Sequence, residues 1–80
     1  MKIPSIKKLV ENYGVSELKI AEEAILEEET PNIEIGGDDE GEQLTHVIAA
    51  IWILEEMDKN SSDFKTSLRA YTQKVRNSIS

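Results

Sequence analysis

The chain has no cysteine, a single histidine, tryptophan and phenylalanine, and only two prolines. Without cysteine there is no disulfide, no thiolate zinc site and no thiol nucleophile, and the redox compartment cannot be read from cysteine usage. With His46 as the sole imidazole, a nucleophile–histidine pair would have to recruit Ser or Thr through the fold. The adjacent Thr45 points about 100° away on a helix, and the sequence has no G-x-S-x-G elbow. Long hydrophobic runs are missing too. The longest, Val47 to Leu54, has eight residues, against the ~20 needed to span a bilayer. The opening stretch Met1-Lys2-Ile3-Pro4-Ser5-Ile6-Lys7-Lys8 lacks the apolar core of a signal peptide. A cytoplasmic protein that is not an enzyme, with no membrane span, is the expectation.

Basic side chains are scarce: 9 against 16 acidic ones, for a net charge of −7 over 80 residues. A surface of that sign repels nucleic-acid phosphates and anionic lipid, so neither is expected as a partner. The imbalance is local. Residues 1–16 carry three lysines and one glutamate, residues 17–58 carry fourteen acids and only Lys19, and residues 59–80 carry five bases and Asp63. An acidic centre between basic ends is expected to fold back and neutralise itself. The length and the 39% apolar fraction support one domain, residues 1–80.

What is present is helical periodicity. Pro4 suits a first turn, and Ile6, Leu9, Val10 and Tyr13 fall on one face of a helix over about residues 4–13. Gly14 is expected to stop it in the left-handed conformation, and Ser16 to cap a second helix over residues 17–29 with Leu18, Ala21, Ala24 and Ile25 inward. Pro31 ends that pattern, and Asn32-Ile33-Glu34-Ile35 alternates like a short edge strand. The acidic, glycine-rich loop Gly36–Glu42 follows, with Asp39 and Glu42 spaced as a capping box for a third helix that runs to about Lys59. Asn60 is its expected terminator, and Ser61 or Ser62 the cap of a fourth helix. That helix has one apolar stripe, Phe64, Leu68, Tyr71, Val75 and Ile79, flanked by Lys65, Arg69 and Arg76. The expected fold is all-α: a small four-helix bundle with an acidic Gly-rich loop between helices two and three.

The third helix carries two apolar stripes. Leu44, Val47, Ile48, Ile51 and Leu54 form one, with Trp52 on its shoulder; His46, Ala50, Ile53 and Met57 form the other. Such a helix is either the centre of the bundle or has one face in an intermolecular interface. The second stripe (His46, Ala50, Ile53, Met57) is taken as that interface, in a homodimer or with another protein. Glu42 and His46, at i and i+4, are weak candidate metal ligands on one helix face, and two do not make a tight site. The acidic loop favours hard cations, yet Gly41 stands fourth from Asp38 rather than sixth and Ala49 occupies the twelfth position, so it is not an EF-hand. No cofactor is expected.

The stretch from Asp38 to Ile53, the segment Tyr71-Thr72-Gln73-Lys74-Val75-Arg76-Asn77-Ser78-Ile79 and the opening Met1–Leu9 resemble a family of short uncharacterised proteins from Bacteroidota. The resemblance spans the chain and brings no catalytic residues. It implies genes lying near thioredoxin-fold or peroxiredoxin genes, and so an accessory role in oxidative-stress physiology, though a chain without cysteine is not the thiol catalyst. The leading expectation is a small non-catalytic interaction or accessory module. The alternative is a divalent-cation or small-ligand binder using the acidic loop and His46.

Overall fold

The computed structural model describes residues 2–79, the side chain of Ile79 excepted. Four helices account for most of them: α1 (Ile3–Asn12), α2 (Val15–Leu26), α3 (Glu40–Asn60) and α4 (Phe64–Ile79). The fold is a small all-α four-helix bundle, as the periodicity requires, and no strand occurs among the described residues. No described helix is long and apolar enough to cross a membrane.

Each of α1, α2 and α4 packs on α3, and no other pair of helices makes more than marginal contact. The centre of α3 explains this. His46, Val47, Ala49, Ala50, Ile51 and Ile53 are all buried, which closes off most of the helix circumference and demands neighbours on several sides. From α1 come Ile6, Leu9 and Val10; from α2, Leu18, Ala21 and Ile25. On α4, Tyr71 is buried, and Phe64, Leu68 and Val75 pack half-buried against the same core. Its ring lies 5.6 Å from that of Trp52, tilted at 53°, and burial raises the Tyr71 hydroxyl pKa above its usual value. The expected Ile79 side chain lies outside the described residues.

Local signals account for most boundaries, with four corrections. Gly14 is extended (φ −97°, ψ 172°) rather than left-handed. It is itself the N-cap of α2, so that helix starts before Ser16, and Glu17 Oε1 accepts the Gly14 N–H at 3.3 Å. The far end of α2 closes at Leu26. Glu29 N–H donates to Ala24 O at 2.8 Å and Glu28 N–H to Ile25 O at 3.0 Å, the paired bonds of a Schellman ending with Glu28 left-handed at φ 61°. The segment Ile33–Ile35 is no strand; both isoleucines keep their alternation and pack half-buried against the core from within the loop. Finally, neither Ser61 nor Ser62 caps α4. Ser61 is the left-handed C-cap of α3, and Asp63 Oδ1 takes the Thr66 N–H at 2.8 Å. Ser62 bonds instead to the buried Ser67 hydroxyl at 2.7 Å.

Two predictions follow from these helix ends. A non-glycine residue in the left-handed region costs about 1–2 kcal/mol, while glycine costs roughly 0.5–1 kcal/mol in chain entropy. Glu28→Gly should therefore stabilise the protein by about 0.5–1 kcal/mol in urea unfolding. Hydrogen bonding from Thr66 holds the Asp63 carboxyl below its usual 3.8. A lowered folded pKa contributes stability above the unfolded value and loses it as pH falls through the folded one. The protection of the Thr66 amide hydrogen, its exchange rate compared with an unprotected amide at the same pH, should fall as pH drops below 3.8, and Asp63→Asn should blunt that acid dependence.

Candidate functional site

The first turns of α3 gather the residues in which sequence reasoning placed chemistry. Asp39 caps the helix, its Oδ1 accepting the Glu42 N–H at 2.7 Å. The reciprocal half of the expected capping box reaches one residue further back: Glu42 Oε1 accepts from Asp38 N–H at 2.8 Å. This bends residues 38–42 into a closed turn. Lys2, the N-cap residue of α1, lays its ammonium over that turn, 3.3 Å from Asp38 and 3.8 Å from Glu42. The Asp38 hydrogen bond and charge, then the Glu42 charge, raise the Lys2 pKa above 10.5.

His46 sits one turn further on, with no solvent exposure. Its Nε2 lies 2.9 Å from the Lys2 backbone N, and its Nδ1 lies 2.6 Å from the Gly36 carbonyl. A backbone N–H only donates and a carbonyl only accepts. Nδ1 therefore carries the hydrogen and Nε2 accepts, which makes the ring the Nδ1–H tautomer. The imidazole ties together the start of α1, the loop and α3. Gly36 leaves room for this approach, because a methyl group there would crowd the Ser5 side chain of α1, with Ser5 Cβ at 3.0 Å. Gly37, at φ 142°, occupies backbone space that other residues rarely adopt.

This geometry corrects the reading of the second stripe. His46, Ala50 and Ile53 have no exposed surface and Met57 is half-buried against the core. The first three line the interior of a single chain, and Met57 alone keeps part of its surface open. Helix α3 is the bundle centre, the other alternative that two apolar stripes left open. Nor do Glu42 and His46 converge on a metal. The ring's one lone pair is taken by Lys2 N–H, and the Glu42 carboxylate is turned toward Asp38 and Lys2. No group of three or more His, Cys, Asp or Glu side chains suited to a metal ion occurs among the described residues.

The open surfaces lie elsewhere. Ile20 and Leu26, about 120° apart on opposite flanks of the inward stripe of α2, are 66% and 64% exposed. Ile20 lines a groove of about 350 Å³ between α2 and the returning loop, with Ala24 and Ile33 beside it and Glu17, Glu23, Glu27 and Glu29 among its walls. On α4, Lys65, Arg69 and Arg76 line a second open groove, of about 330 Å³, with Leu68. The expected neutralisation of the acidic centre by the basic ends is only partial. Lys2 meets Asp38 and Glu42 and Lys19 meets Glu55 at 3.9 Å, but the α2 acids and the α4 bases stay apart. Sequence reasoning missed the α2 face. The signal was there: Ile20 and Leu26 fall off the Leu18, Ala21, Ile25 stripe, so a helix docked by that stripe leaves them outside.

A family model described as a family of unknown function (DUF6952) matches residues 1–80. The chain belongs to that family. No curated protein and no solved structure matches it. Membership thus confirms a short uncharacterised family over the whole chain and carries no activity with it, so the function of this DUF6952 member rests on its own geometry.

The clasp around His46 yields a prediction. A phenylalanine fills much of the ring volume but orphans both the Lys2 N–H and the Gly36 carbonyl, at about 1–3 kcal/mol each when buried. Both bonds are part-buried, so water offsets some of that penalty, and His46→Phe should destabilise the protein by about 1–3 kcal/mol. His46→Gln, whose amide can donate to Gly36 and accept from Lys2, should recover part of that loss in urea unfolding.

Proposed function

We propose that this protein is a non-catalytic interaction module that binds a protein partner through the exposed apolar side chains of α2. One observation carries the reading: two large aliphatic side chains, Ile20 and Leu26, stand about two thirds exposed on a helix whose other exposed positions are Ser16, Glu17, Lys19 and Glu23. Burying what remains exposed of such side chains against a partner is worth about 1–2 kcal/mol apiece, and an acidic surround selects partners of opposite charge. The condition of His46 supports binding over catalysis. A ring with no solvent exposure and both nitrogens committed to backbone atoms serves the fold.

Replacing Ile20 and Leu26 together by serine removes exposed apolar surface without touching the core, so stability should move by less than about 0.5 kcal/mol per site. The wild-type chain, cross-linked in cells that produce it, should capture a partner that the double variant loses while keeping the same melting temperature. Identical captures by the two chains would sink the reading.

A further inference from the structure

The groove on α2 has a complementary surface on the same molecule. Glu17, Ile20, Ala24 and Glu27 fall at i, i+3, i+7 and i+10 along one edge of α2, and Glu23 and Glu29 flank them. Lys65, Arg69, Thr72 and Arg76 fall at i, i+4, i+7 and i+11 along α4, all exposed, with half-buried Leu68 at their edge. At 1.5 Å per residue the acidic edge is ~15 Å long and the basic one ~16 Å. Among the described residues, the Glu23, Glu27 and Glu29 carboxylates meet no basic group, and neither Arg69 nor Arg76 meets an acid. Lys65 has the exposed Asp63 near it.

We propose that a second copy of this chain docks in the α2 groove through the basic face of α4. Arg69 and Arg76 of one copy lie against the glutamate walls of the other, and Leu68 covers Ile20 where Ala24 allows close approach. The proposal rests on the α2 face being the binding surface and adds the identity of its occupant. A net charge of −7 on each copy opposes association at long range. At physiological ionic strength that repulsion is screened beyond about 8 Å, whereas charges in contact across a partly dry groove are screened far less. The contact joins unlike surfaces. It closes as a reciprocal pair, α4 of each copy on α2 of the other, or runs on head to tail.

Sedimentation of the full chain from micromolar to millimolar concentration, at physiological ionic strength, tests this. The wild type should gain mass with concentration. A basic-face variant (Lys65→Glu, Arg69→Glu, Arg76→Glu) and an acidic-face variant (Glu23→Lys, Glu27→Lys, Glu29→Lys) should each need at least about tenfold more protein to associate. The acidic-face variant should do so even though its substitutions bring the net charge close to zero. An equimolar mixture of the two should regain mass, because the glutamates now on α4 of one meet the lysines now on α2 of the other; misfolded variants would not. A wild type monomeric at millimolar concentration, or reversals that leave association unchanged, would overturn the proposal. If a monomeric wild type still captures a partner through Ile20 and Leu26, the second copy is refuted while the interaction module stands. Loss of both results refutes both.

Discussion

Helix α3 is 21 residues long, and its central span from His46 to Ile53 leaves only Ile48 and part of Trp52 in contact with water. In a chain of this size, covering such a helix takes every other element. Helices α1, α2 and α4 are therefore arranged around it rather than around one another, each contributing one apolar stripe. This arrangement has a consequence for the surface. A helix that contributes only one stripe keeps its remaining face outward, and any apolar residue placed there stays exposed. Ile20 and Leu26 are such residues.

The second constraint is polar. Wrapping the core leaves the long connection between α2 and α3 to run back past the start of α1, where its backbone is fastened by a buried side chain. That side chain is His46. One neutral ring donates to the loop at Gly36 and accepts from Lys2 at the start of α1, so a single side chain pins two segments that are remote in sequence. Glycine at position 36 permits the approach, and the Lys2 ammonium over Asp38 and Glu42 closes the turn from outside. The exposed ion pairs add little stability on their own. Their effect is to hold the acids of the 38–42 turn together, while those of α2 remain on an open face.

The helices were legible because their signals are local. Periodicity located all four, Asp39 was recognisable as a cap, and the inward residues Ile6, Leu9, Leu18, Ala21, Val47 and Tyr71 are inward in the structure. Errors gathered where one residue type has two uses. Gly14 was expected to end a helix and instead begins one, because extended backbone there lets Glu17 reach back to its N–H. Ser61 and Ser62 resemble caps, yet Asp63 has the stronger acceptor one residue later. Glu28 turns left-handed although a glutamate pattern gives no hint of it. The interface expected on His46, Ala50, Ile53 and Met57 was misplaced for a different reason: a double-striped helix looks alike whether its second side meets its own chain or another.

The sequence by itself determined that the chain is helical, where each helix lies and which stripe of each turns inward, since these depend on spacing within a few turns. It also determined that α3 needs cover on more than one side. Only the tertiary structure decided who provides that cover, that the lone histidine bonds to backbone from positions 2 and 36, and that the α2 acids remain out of reach of the α4 bases. Those outcomes depend on distances between segments far apart along the chain, and such distances exist only once the helices have packed.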